Sequence, residues 1–125
     1  MRRAIVVLVV LSMIVAAGCS GSDTTASKGS ATEGATLFAS TCASCHSVEP
    51  DKVIVGPSLA GMATDAAGDA ADEGVSTEEI LKKEITDPND EVVDGFEADI
   101  MPKDFGTTLS EQELNDVIAY LMTLK

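Results

Sequence analysis

Cys42-Ala43-Ser44-Cys45-His46 puts two thiols and an imidazole within five residues. Two thiols at this spacing can each add across a porphyrin vinyl group, and the histidine that follows can lie beneath the ring and bind its iron. C-x-x-C-H is the attachment signal for c-type haem. His46 is the only histidine, so a bis-histidine iron within this chain is excluded and a second axial ligand must be of another type. Other uses of the cysteines fit less well. Zinc wants four Cys or His ligands, and the one remaining cysteine, Cys19, is far off in sequence. A thioredoxin-like pair belongs in a βαβ pattern, and strand signals are scarce here.

Three helices can be read around this motif. The first spans about residues 33–44, with Thr32 as N-cap and Leu37, Phe38 and Thr41 towards one side. The second opens at Ser76, where Ser76-Thr77-Glu78-Glu79 is a capping-box pattern, carries Ile80, Leu81 and Ile85 at helical spacing, and ends at Asp87-Pro88. The third repeats the device with Ser110-Glu111-Gln112-Glu113, and Leu114, Val117, Ile118, Leu121 and Met122 form its apolar stripe. The connections between them are long. The Gly/Ala-rich stretch after Met62, with Asp65, Asp69, Asp72 and Glu73, reads as a mobile surface loop without a calcium-loop pattern.

The domain has three Phe, one Tyr and no Trp, a thin supply of large core residues for a small fold. A buried, covalently held haem would supply the missing apolar area.

The N-terminal segment reads differently. Met1-Arg2-Arg3 is a basic start, and residues 4–17 are apolar except for Ser12. That run suits a signal-peptide core better than a spanning helix. It stops at Ala16-Ala17-Gly18-Cys19, which resembles a bacterial lipobox, with Ala16 where leucine is commoner. The expected layout is a signal peptide over residues 1–18, a tether over residues 19–31 lipidated at Cys19, and one domain over residues 32–125. The alternatives are an uncleaved anchor, or cleavage nearby with Cys19 left as a free thiol. A dozen Ser/Thr/Gly/Ala-rich residues would reach about 20 Å as a random coil. The expected location is the cell membrane, facing the periplasm or cell exterior, and export suits c-type haem attachment.

From about Gly34 to Lys125 the chain resembles a class I, mono-haem cytochrome c. Gly34 and Phe38 match the first-helix pattern of the family, and Tyr120 matches the aromatic of its last helix. The resemblance implies an all-α fold, with long loops wrapped around one haem and the two terminal helices crossing closely. It implies thioether bonds from Cys42 and Cys45, and His46 as the proximal ligand. In Gly56-Pro57-Ser58-Leu59 it implies that the Pro57 carbonyl accepts a hydrogen bond from the histidine ring and that Leu59 presses on the haem face. Met101, before Pro102, is implied as the sixth ligand; a thioether favours ferrous iron and raises the potential relative to a second histidine. Met62, in a Gly-rich stretch, is its competitor, and Met122 belongs to the last helix's stripe. The run from Asp87-Pro88-Asn89 through Gly95-Phe96 to Met101-Pro102 is similar to cytochrome c domains of terminal oxidases and of alternative complex III.

Without residues 1–18 the chain has six Lys and Arg against 21 Asp and Glu, a net charge of −15. Nucleic acids and anionic lipid surfaces are poor partners for it. Two readings of the charge stay open: steering towards a basic docking patch on a redox partner, or a solvated acidic surface suited to a salty habitat.

The leading function is thus a membrane-tethered single-electron carrier using one haem c. A permanently docked subunit of a respiratory or photosynthetic complex is the alternative. A haem enzyme with an open sixth site would lack a distal histidine for acid–base work.

Overall fold

The computed structural model describes residues 28–125, and within them the chain is helical, without a regular strand. The expected signal peptide, Cys19 and most of the tether lie outside these residues. No helix among the described residues is long and apolar enough to cross a membrane.

Helix α1 (Ala31–Leu37) runs on through a π-type turn over Phe38–Cys42, so the two form one rod ending at the first cysteine of the motif. The turn is closed by the Ala43 N–H donating to the Phe38 carbonyl at 2.9 Å, a five-residue step. Such insertions widen a helix locally and recur at functional sites. Ser30, not Thr32, caps this helix, its hydroxyl accepting from the Glu33 N–H. The pattern Ser30-Ala31-Thr32-Glu33 has Ser three residues before Glu, as a capping box requires, whereas three residues beyond Thr32 stands Ala35.

Met62–Glu73 is helix α2, which corrects the reading of this segment as a loop and places Met62 at the start of a helix. Ala63, Ala66 and Ala70 share its buried side and the acidic residues take the other. Alanine has the highest helix propensity of all residues, but its small side chain makes a faint apolar stripe. Gly61 and Gly74, both at positive φ (84° and 73°), bound the helix.

Helices α3 (Thr77–Thr86) and α5 (Glu111–Leu121) begin as expected, at capping boxes on Ser76 and Ser110. A single turn, α4 (Phe105–Thr108), lies between them. The core joins Phe38 of the first rod, Ala66 and Ala70 of α2, Ile80 and Leu81 of α3, and Leu114, Val117, Ile118 and Leu121 of α5.

Helices α1 and α5 are the most closely associated pair. A Cβ on Gly34 would collide with the Asp116 carbonyl, and one on Gly29 with the Asn115 carbonyl. Below Gly34, the Phe38 and Tyr120 rings meet with centroids 5.2 Å apart and planes tilted by 52°, an attractive aromatic geometry. Asp116 adds a polar stitch. It is buried, and its carboxylate accepts from the Ser30 N–H at 2.7 Å and from Gln112 Nε2 at 2.7 Å. Gly29, Ser30 and Ala31, at the end of the segment assigned to the tether, are therefore part of the folded unit.

Candidate functional site

The rod formed by α1 and its π-type turn delivers Cys42 at its end, and the chain then doubles back. The Cys42 carbonyl accepts from the N–H groups of both Cys45 and His46, each at 3.0 Å. The Cys45 carbonyl accepts from Val55 at 3.2 Å and from Gly56 at 2.9 Å. These bonds fold residues 47–57 back onto the motif. Ser47, buried at the start of that loop, accepts from the Leu59 N–H at 2.8 Å through its carbonyl.

Folding back brings Pro57 to the histidine. His46 Nδ1 lies 2.9 Å from the Pro57 carbonyl oxygen. A carbonyl can only accept, so Nδ1 carries the proton and Nε2 keeps its lone pair for a metal. Such a bond fixes the tautomer and ring angle and makes the ligand more basic. Gly56 supplies the room: a Cβ there would stand 2.5 Å from His46 Cε1 and 3.0 Å from Nδ1. Pro57 is the residue that the sequence reading placed beside the histidine ring. The part played by Gly56 was not foreseen, although Gly-Pro ahead of the carbonyl was its visible signal.

Cys42 and Cys45 are both partly buried and unpaired. Burial pushes the Cys42 thiol up, and the neighbouring Cys45 pushes it further. A thiol-exchange enzyme requires the opposite, a depressed pKa. Two unpaired thiols beside an imidazole whose Nε2 is free to coordinate fit a covalently attached, iron-centred macrocycle. The loops carrying the candidate ligands also leave large apolar side chains exposed: Val53 at 60%, Ile54 at 48%, Val55 at 50% and Ile100 at 56%. An apolar cofactor lying on them would account for that exposure. The residues present therefore fit the group.

The other sequence candidates divide. Leu59 is partly buried and packs against the core. Met62 and Met122 do the same, acting as ordinary core fillers. Met101 does not. It is partly buried on the loop between α3 and α4 and is absent from the core cluster.

Polar contacts organise the Met101 loop. Asn89 and Lys103 both bond to Asp99, and Lys83 on α3 pairs with Asp90 at 2.6 Å and Glu73 at 3.9 Å. Lys103 first, then Asn89, holds the Asp99 carboxyl below its ordinary range. Sequence reading quotes Asn89 only within the run from Asp87 to Pro102 and gives it no role, because a bond across ten positions leaves no local signature.

A model of the cytochrome c family matches residues 31–125, from the start of α1 to the C-terminal Lys125. Fold, motif and match agree: the chain belongs to the cytochrome c family, electron-carrying proteins that hold haem c covalently.

Proposed function

We propose that this chain is a membrane-tethered mono-haem carrier that moves single electrons between redox partners by outer-sphere transfer at the haem edge. Haem, when bound, supplies the Fe(III)/Fe(II) couple. In this reading Cys42 and Cys45 would hold the haem through thioether bonds, and His46 Nε2 and the Met101 sulfur would bind its iron. The hydrogen bond from His46 Nδ1 to the Pro57 carbonyl carries the proposal, because it leaves Nε2 as the coordinating atom. Leu59 closes the apolar side of the site.

Cys19 anchors the chain in the membrane, with the domain on the periplasmic or outer side. The partner carries a basic docking patch. Of the 21 Asp and Glu, 17 fall in residues 62–116, which hold only Lys82, Lys83 and Lys103 in return. The acidic charge therefore belongs to α2, α3, α5 and the Met101 loop rather than to the thioether motif. The alternative, a haem subunit docked permanently in a respiratory or photosynthetic complex, draws on the run from Asp87 to Pro102. Co-purification with a complex after detergent extraction separates the two.

The test uses the purified holoprotein. Acid-acetone extraction should leave the haem on the polypeptide. Met101→Ala should open the iron to cyanide and to carbon monoxide, whereas Met62→Leu should leave the spectrum and potential nearly unchanged. Opening by Met62→Leu and not by Met101→Ala would overturn the ligand assignment.

A further inference from the structure

Between α3 and α4 the backbone of residues 87–104 has no regular structure apart from turns, yet it has to present one sulfur at a fixed place. At Asp99 it takes φ of +64°, a left-handed conformation uncommon for a residue with a side chain. Asn89 grips this residue twice: its Oδ1 accepts from the Asp99 N–H at 2.9 Å, and its Nδ2 donates to Asp99 Oδ1 at 2.8 Å. A backbone N–H requires the amide oxygen and a carboxylate requires the amide nitrogen, so the two partners fix the orientation of the carboxamide. Lys103 Nζ reaches the same Oδ1 at 2.6 Å, so the Asp99–Lys103 pair straddles Met101-Pro102. Only Ile100 separates the gripped residue from Met101, and Pro102 in turn restricts the Met101 backbone to extended conformations.

We propose that Asn89 is a positioning residue: it pins Asp99 in the left-handed conformation from which the chain delivers Met101 to the iron. The proposal rests on Met101 being the sixth ligand. The Asn89 hydrogen bonds run to Asp99 and not to Met101 itself, so the residue acts on the ligand through the backbone. It acts by closing the base of residues 90–98, so that movement in those residues does not reach the sulfur.

The experiment measures how fast imidazole displaces the native sixth ligand in the ferric holoprotein, beside the thermal midpoint of each variant. Asn89→Ala loses both bonds. Asn89→Asp keeps the side-chain size but turns a second carboxylate oxygen towards Asp99. Both should take up imidazole about tenfold faster than wild type, the factor corresponding to 1.4 kcal/mol. Asp99→Asn keeps the N–H, an acceptor and a residue tolerant of positive φ, and should stay near the wild-type rate. Lys83→Ala breaks the pair to Asp90 elsewhere in the same loop and should also stay near it. In wild-type holoprotein the Asp99 amide should exchange with solvent more slowly than that of Ala98, a readout that needs no variant.

Unchanged imidazole rates in both Asn89 variants, an equal acceleration in Lys83→Ala, or an Asp99 amide exchanging as fast as Ala98 would each overturn the clamp. Met101→Ala keeps the two ideas apart. If it opens the iron while the Asn89 variants do nothing, the clamp alone fails; if it does not, the ligand assignment fails first.

Discussion

The crossing of α1 and α5 and the loop that carries Met101 flank the same function, yet they are held together by different physics. At the crossing, Gly34 lets two backbones touch, Phe38 and Tyr120 fill the space beside it, and the Asp116 carboxylate is buried, with its Oδ1 accepting two hydrogen bonds. The loop is braced beside Met101 by Asn89, Asp99 and Lys103, most of them exposed. Buried packing resists salt and pH, whereas exposed ion pairs contribute little each and weaken with salt. The first region thus provides a fixed platform for Cys42, Cys45 and His46. Under the ligand assignment proposed above, the second holds Met101 by a few directional bonds. A carrier built this way should lose its methionine long before it loses its histidine.

Breaking the platform should have the largest effect. Gly34→Val places a branched side chain against the Asp116 carbonyl, so α1 and α5 must part and the Phe38–Tyr120 contact goes with them. Overpacking costs about 1–3 kcal/mol when side chains can give way; a backbone carbonyl cannot, and about 3 kcal/mol or more is expected in denaturant unfolding of the holoprotein. A loss under about 1 kcal/mol would show that the crossing is not the rigid element supposed here.

Asp116→Ala should come next. It leaves the partly buried Ser30 N–H and the Gln112 amide without their acceptor, at a cost of about 2 kcal/mol. Asp116→Asn keeps an oxygen for Ser30 and should recover about half of that. Equal losses in the two variants would mean that the charge beside the start of α1, rather than the hydrogen bond, is what matters.

How much of this was legible in the sequence follows the range of each interaction. C-x-x-C-H, Gly56-Pro57 and the two capping boxes are patterns of two to five adjacent residues, and each lies where it was expected. The stripe of Leu114, Val117, Ile118 and Leu121 was readable because large apolar residues repeat at helical spacing. Helix α2 was missed because its buried side is all alanine. The start of α1 was misplaced by two residues because two hydroxyl residues compete there, and only Ser30 has its glutamate. Asp116 meets Ser30 across 86 positions and Asn89 meets Asp99 across ten. No local pattern announces either bond; only the fold brings the partners together.

The smallest effect sharpens the contrast by titration. Glu84 on α3 is half-buried, and its pKa is pushed up to about 7 from the ordinary 4.5, by burial first and then by Asp69 of α2 and Glu91 of the Met101 loop; Asp65 adds to this and Lys83 opposes it. Lys83 is shared with Asp90 and Glu73, so it does not neutralise Glu84 alone. Below pH 4.5 the carboxyl is protonated whether the chain is folded or not, and no penalty exists. As pH rises from 4.5 to 7 the unfolded chain has released a proton that the folded one still binds, so stability falls across that window and then levels off. The full shift would correspond to about 3 kcal/mol, and solvent screening at a half-exposed site reduces this to about 1 kcal/mol. Glu84→Gln should therefore leave stability unchanged at pH 4 and raise it by about 1 kcal/mol at pH 8. In 1 M salt, where the screening length is about 3 Å, the part due to Asp69, Glu91 and Asp65 should vanish and leave only the burial part. A gain equal at pH 4 and pH 8 would show that Glu84 is unfavourable for its shape rather than its charge. The acidic face between α2 and the Met101 loop would then not be the charge-burdened counterpart of the packed crossing.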